Sequence, residues 1–393
     1  MSGFVAVSCG GGRRKMLIIF MMAVCLLHLL LQFHVLQRIL VFRGAGGVRG
    51  KESAVTFRNL TPSNGDSEAK ADHHRDLGND TMIPLKWRPQ VRWPLMVFST
   101  VGRLGNCLNT YAFALSLHDV YPATVAVTQP VLKTLRTVLA GENLTLPVID
   151  MQFQEEADEE DAVEVVEPDY LKDDMVSHLE PTFQRAVREF QVGGRRKVFL
   201  LPGYPNRMWM LAQHFSIIRA SYRIRAELQQ EARRFLERAR HGRGRNVTFV
   251  GLHIRRGDYV NFIKNFHNCS LPGPEFYEAA INHYRASLAD PLFVVTSDDL
   301  PHARHHLHRH PDVVFSDLRT AEGDMALLAA CSHSIMTVGS FGFWSSFLAG
   351  GHVVYPLVNG CSKTPFMHPD SLGSRGFENW LPLMVESRGS DGS

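Results

Sequence analysis

Apolar positions along this chain fall into three regimes. From Met16 to Leu36 they follow one another with no Asp, Glu, Lys or Arg, a length that matches the roughly 20 residues needed to cross a bilayer. From 37 to 92 apolar residues are scattered among Gly, Ser, Asn, Asp, His and Lys, too thinly to build a core. After that, short runs rich in β-formers alternate with stretches of helical spacing. Leu95 to Val101 predicts a strand, ended by Gly102-Arg103-Leu104-Gly105-Asn106, and Cys107 to His118 predicts a helix. Ser216 to Arg240 predicts a second helix, closed by Gly242 and Gly244 as a hinge between halves at 93–245 and 246–393. In the second half Val247–Ile254, Leu292–Ser297, Val313–Phe315, Ser334–Val338 and His352–Pro356 predict strands. Pro274–Leu288, a His-rich segment after Asp299, Met325–Cys331 and Phe343–Ala349 predict the helices between them. Such alternation predicts an α/β body with a largely parallel sheet and right-handed crossovers.

Charge and chemistry sharpen the first two regimes. Arg13, Arg14 and Lys15 precede the apolar run, and no small-residue cleavage site follows it, so the run reads as an uncleaved signal anchor with a cytoplasmic tail at 1–15 and a span at 16–36. The segment at 37–92 then reads as a lumenal stem. Sequons at Asn59, Asn79, Asn143, Asn246 and Asn268 all lie after the span, which agrees with a lumenal body and N-glycosylation there. A net charge of +3 over 393 residues gives no electrostatic case for nucleic acid. Cys107, Cys269, Cys331 and Cys361 would share the oxidising lumen, where four cysteines allow three pairings. None has the close spacing of a zinc site. The acidic run from Glu155 to Asp161 reads as a solvated loop.

Candidate chemistry concentrates where strands end. The run Phe249-Val-Gly-Leu turns polar at His253 and continues Ile254-Arg255-Arg256-Gly257-Asp258-Tyr259. Paired guanidinium forks beside a glycine match a diphosphate, and a surface salt-bridge cluster is the structural alternative. Gly102 to Asn106 and Gly339 to Gly342 are two further glycine turns after strands, each leading to a helix whose N-terminus favours an anion. Together the three turns point to a nucleotide diphosphate held between two halves, and in a lumenal enzyme to sugar-nucleotide transfer. The chain holds no Asp-x-Asp triplet. Arg255 and Arg256 could therefore neutralise a leaving diphosphate without metal.

These motifs resemble the α(1,2)-fucosyltransferase family, glycosyltransferase family 11. His253-Ile-Arg255-Arg256-Gly257-Asp258-Tyr259 is similar to the family's His-x-Arg-Arg-Gly-Asp-Tyr, Gly102 to Asn106 to its amino-terminal motif, and Asp324 to Gly351 to its long carboxyl-terminal one. The resemblance runs from Leu95 to Leu383. It implies a GT-B-like pair of Rossmann-like domains facing a donor cleft, GDP-fucose as donor, no metal, a galactose-terminated glycan as acceptor, inversion, and a type II membrane protein of the Golgi. Carried over by residue, it implies Arg256 on the donor diphosphate with Arg255 beside it. His253 and Asp298 would lie near guanosine, and Ser340 with the backbone of Gly339 and Phe341 near phosphate. Gly102, Arg103, Gly105 and Asn106 complete the donor side. Asp258 is the candidate base, with Asp299, Glu322 and Asp324 as alternatives. Cys107-Leu-Asn where the family has Gln-Met, and Ser-Asp298-Asp299 where it has Ser-Asn-Gly, bear on acceptor choice more than on the donor.

Three rivals stand beside this reading. Arg256-Gly257-Asp258 is an integrin-type tripeptide, but it abuts an apolar strand rather than a protruding loop. A non-catalytic GDP-sugar binder would have lost motif residues that are present here. A protein acceptor would keep the donor site and change only the partner.

Overall fold

Leu95-Met-Val-Phe places four buried side chains in a row, the pattern of a strand covered by helices on both faces. It is β1 (Leu95–Ser99) of a sheet built entirely from parallel pairs. The chain continues through α1 (Leu104–Val120), β2 (Thr124–Thr128), α2 (Gln129–Leu135), β3 (Val148–Ile149), β4 (Val163–Val166), α3 (Met175–Gln191) and β5 (Arg196–Pro202). These strands form a five-stranded sheet in the order β3-β2-β1-β5-β4. Two helices follow, α4 (Phe215–Ser221) and α5 (Ala226–Ala239).

The second half repeats the alternation: β6 (Thr248–Ile254), α6 (Tyr259–His267), α7 (Pro274–Ser287), β7 (Pro291–Ser297), α8 (Leu300–Leu307), β8 (Val313–Phe315), α9 (Ala321–Ala329), β9 (His333–Met336), α10 (Gly339–Ala349), β10 (Val353–Val358) and β11 (Trp380–Val385). Its six strands are again all parallel, in the order β11-β10-β9-β6-β7-β8. The expected α/β class and parallel pairing are therefore present, in two sheets. β6 lies at the centre of the second sheet between β9 and β7. That order brings the exits of three strands together at one edge.

This computed structural model describes residues 91–385 apart from 101, 122, 150–162, 167–174, 195, 203–207, 245, 268 and 359–375. The predicted tail, the span at 16–36 and the stem up to residue 90 lie outside the described residues, as do Asn59, Asn79, Asn268, Cys361 and the acidic run. Among the described residues no helix is long and apolar enough to cross a membrane.

Several elements differ from those the periodicity predicts. The helix expected over Ser216–Arg240 is two helices, broken where Ile224 pairs with Leu139 and the Tyr222 hydroxyl donates to the Leu108 carbonyl at 2.5 Å. Although α5 precedes the predicted hinge, its Ala232, Phe235 and Leu236 pack with Val294, Ala326 and Leu327 of the second half. Both helices after the glycine turns begin earlier than expected, so that Gly105 and Gly342 lie inside helical turns. Strands β2, β3, β4, β5 and β11 have no counterpart among the predicted elements.

All described residues belong to one compact unit, Leu77–Ser393. One apolar core runs through both sheets, joining Met96 and Phe98 of β1 and Leu108, Tyr111 and Phe113 of α1 to Phe343, Trp344 and Phe347 of α10. Inside it the Trp344 indole donates to the Asn109 side-chain oxygen, a buried polar contact between helices of the two halves. Trp344→Phe strips that acceptor of its donor and removes part of the buried ring volume, a loss of at least about 1–3 kcal/mol. Chemical denaturation of both proteins measures it, and an unchanged unfolding free energy would contradict this contact's contribution.

Candidate functional site

The site grows from three strand exits. At the end of β6 the backbone N–H of Arg255 donates to the Thr337 hydroxyl beyond β9, at 2.9 Å. That of Arg256 donates to the Asp298 carboxylate beyond β7, at 2.8 Å. Each neighbouring strand therefore supplies one acceptor that fixes the arginine turn. Gly257, at φ +30°, lies over Asp298, where an added Cβ would meet the carboxylate oxygen at 2.5 Å. A side chain here would push the brace away.

Facing this edge are the N-termini of α1 and α10. The Ser340 hydroxyl donates to the Asn106 side-chain oxygen at 3.0 Å, and one turn further the Trp344–Asn109 contact repeats the pairing. Positions advance together along both helices, so the two run parallel, side by side, from a shared starting point. Gly105 makes this approach possible, since a Cβ there would meet the Ser340 hydroxyl at 2.5 Å and the Phe341 nitrogen at 2.7 Å. Gly339 turns the chain into α10 at φ +87°, the left-handed region that glycine occupies without strain. Parallel helix dipoles repel when their positive ends meet, and an anion between those ends removes the cost. Neither helix supplies its own: Arg103 and Val338 stand at the cap positions without a side-chain cap, and neither first turn carries an acid. By contrast α8 and α9, at the same edge, are capped by Asp299 and Thr320.

The two arginines differ sharply. Arg255 is committed: one guanidinium nitrogen donates to Asp298, another to Asp258, and the guanidinium carbon stands 4.8 Å from the Tyr259 ring centre. Arg256 keeps a looser partner: its buried Nε stands 3.4 Å from the Asp299 carboxylate, without the alignment of a hydrogen bond. It also hydrogen-bonds the hydroxyl of Tyr277, whose pKa burial pushes up to about 12 while the guanidinium pulls it back. His302, in the first turn of α8, has its pKa lowered by burial and then by the Arg256 charge, and its Nε2 is another buried atom without a partner. Arg255 is thus held by two short carboxylate contacts, while Arg256 has one longer carboxylate contact and the Tyr277 hydroxyl. Tyr277, Thr337 and His302 are participants the sequence reading leaves out. Tyr277 lies on the buried stripe of α7, where helical spacing reads as core.

The remaining candidates take definite places. Asp258 pairs with Arg255 and stands 3.6 Å from Arg103, so its oxygens brace cations from both halves. Asp298, implied near guanosine by the family resemblance, has both carboxylate oxygens on the arginine turn. Asp324 hydrogen-bonds Ser316 at 2.6 Å beyond β8, and burial raises its pKa to about 6. Asn246 is exposed and Asn143 half-buried. Cys107 and Cys331 are buried free thiols and Cys269 is disulfide-bonded, which removes the first two from the expected pairings. Among the described residues no group of three or more His, Cys, Asp or Glu could hold a metal ion.

His253 is buried to 6% exposure beneath α10, with Nδ1 unpartnered and directly under Gly342, where a Cβ would come within 2.8 Å. Burial, then the Arg255 charge, lowers its pKa from 6.5 to about 3. The folded chain therefore holds it neutral while the unfolded chain takes up a proton below pH 6.5. Its contribution to stability is complete above that pH and is lost as pH falls toward 3. Between pH 7 and 5 this linkage removes about 2 kcal/mol from the wild type that His253→Gln does not lose. Unfolding free energies of both proteins at the two pH values test it, and parallel declines would contradict a buried neutral imidazole.

Comparison with known proteins finds relatives by sequence. Residues 190–381 match glycosyl transferase family 11. Galactoside alpha-(1,2)-fucosyltransferase 2 of Bos taurus is 29% identical over 76% of this chain and 81% of its own length. The protein of the same name from Oryctolagus cuniculus is 31% identical over 69% of this chain and 72% of its own. A solved NodZ alpha-1,6-fucosyltransferase soaked with GDP-fucose aligns at 15% identity and TM-score 0.40, covering 65% of this chain and 93% of its own. On the sequence matches, this chain belongs to the galactoside α(1,2)-fucosyltransferases of glycosyl transferase family 11.

Proposed function

We propose that the protein transfers L-fucose from GDP-fucose to the 2-hydroxyl of a terminal galactose, forming an α(1,2) linkage with inversion. The observation that carries the donor half is the pair of uncapped helix N-termini, α1 and α10, meeting beside Arg256. The acceptor half rests on the names of the relatives. In the reaction the bond from fucose C1 to the β-phosphate oxygen breaks as the galactose O2 attacks C1 from the opposite face. GDP leaves with an added negative charge, and the O2 proton passes to solvent water. Donors fixed before the reaction lower the cost of that charge.

Arg256 supplies the less tightly paired guanidinium, and the N–H groups at the starts of α1 and α10 supply neutral donors. Arg255 is a positioning residue, held by Asp258 and Asp298 so that the turn presents Arg256. Asp258 serves here as a brace. A loose, oxocarbenium-like transition state would demand little of any base. The two parallel sheets correspond to a GT-B-like arrangement. The apolar run at 16–36 anchors the chain as a single-pass type II protein of the Golgi membrane, with sequons such as exposed Asn246 in the lumen.

With the full chain, Arg256→Ala is expected to lower kcat/KM for GDP-fucose by about 100- to 1,000-fold, the usual cost of removing a donor aimed at developing charge. Full activity in that variant would sink the arginine assignment. Because cationic side chains and helix ends provide the charge, fucose transfer to a β-galactoside should continue in excess chelator. Linkage analysis of the product identifies the hydroxyl used, and loss of transfer on chelation would overturn the metal-independent route.

A further inference from the structure

We infer that one face of α6 is the platform on which the acceptor sugar lies, an inference that rests on the galactoside reading above. Phe262 is 40% exposed, the one aromatic ring among the exposed large apolar side chains of the described residues. It does not stand alone. The Arg255 guanidinium lies over Tyr259 at 4.8 Å, and Tyr259 meets Phe262 with ring centres 5.3 Å apart, so an aromatic path leads from the arginine turn to solvent. Tyr259 also rests against Gly339, where a Cβ would stand 3.3 Å from its ring, which ties the path to the start of α10.

The helix is held firmly from behind. Ile263 is fully buried against Val338, with Tyr259, Cys269 and Leu271 packed around them, and Cys269 is disulfide-bonded just past the end of α6. The exposed ring is therefore carried on a fixed helix beside the arginine turn, where it offers a flat apolar face.

Its neighbours fit a sugar. The N–H of Phe262 donates to the Asp258 carbonyl at 3.1 Å, which continues the helical turn back to Asp258. Asp258, Phe262 and Asn265 then fall on one stripe at helical spacing, and all three are exposed. A carboxylate, a flat apolar ring and a side-chain amide are the groups that receive a hydroxyl, a C–H face and a second hydroxyl. Galactose carries its axial 4-hydroxyl on one side, leaving C3–H, C4–H and C5–H as an apolar patch on the other, complementary to the face of an aromatic ring. Phe262 lies about 6 Å along the helix axis from Asp258, at 1.5 Å per residue, within a sugar's reach of the arginine turn.

The test uses the full chain with GDP-fucose and lactose. Phe262→Ala should raise the KM for lactose by about tenfold with kcat nearly unchanged, the signature of lost binding equal in ground and transition states. Phe262→Trp should restore most of it. Calorimetric affinity for GDP should be the same in all three proteins. An unmoved lactose KM in the alanine variant, or a parallel loss of GDP affinity, would overturn the platform while leaving the galactoside reading intact. If the wild type binds GDP and does not fucosylate lactose, the galactoside reading fails first and the platform fails with it.

Discussion

The site depends on two helices that electrostatics alone would keep apart. α1 and α10 come from different sheets, run side by side in the same direction, and place their uncapped positive ends together. Apolar burial holds them there: Phe343, Trp344 and Phe347 share one core with Leu108, Tyr111 and Phe113, and the Trp344–Asn109 contact fixes their register. The packing that joins the halves also brings these uncapped ends together.

The arginine turn completes what the helix ends begin. Adjacent in sequence, Arg255 and Arg256 receive opposite assignments from the strands beside β6. Asp298, from β7, takes a guanidinium nitrogen of Arg255 and the backbone of Arg256, while Thr337, beyond β9, takes the backbone of Arg255. Arg255 thereby becomes the fixed side of the turn. Arg256 is left facing Tyr277, Asp299 and His302, its Nε 3.4 Å from the Asp299 carboxylate.

Much of the architecture was legible in the sequence because parallel α/β folds write it there. Buried strands read as β-rich runs, and the polarity change at His253 marks the carboxyl edge. The three glycine-bearing turns also meet in the folded chain, as their shared position after strands implies. What escaped was set by tertiary contacts. Glycine signals a break, so Gly105 and Gly342 read as turn residues, yet they lie in helices and allow close approach to Ser340 and His253. The break between α4 and α5 comes from Tyr222 and Ile224 reaching Leu108 and Leu139, more than eighty residues earlier. The division of labour between Arg255 and Arg256 was equally hidden, because it is decided at Asp298 and Thr337. Asp258 shows the same limit: its contact with Arg103, far away in the chain, is not written in the local motif.

The most direct test of this account is a structure of the protein with GDP-fucose bound. It should place the diphosphate at the shared start of α1 and α10, with the Arg256 guanidinium on its oxygens and Arg255 still paired with Asp258 and Asp298. A diphosphate held by Arg255, or bound away from those two helix ends, would contradict it.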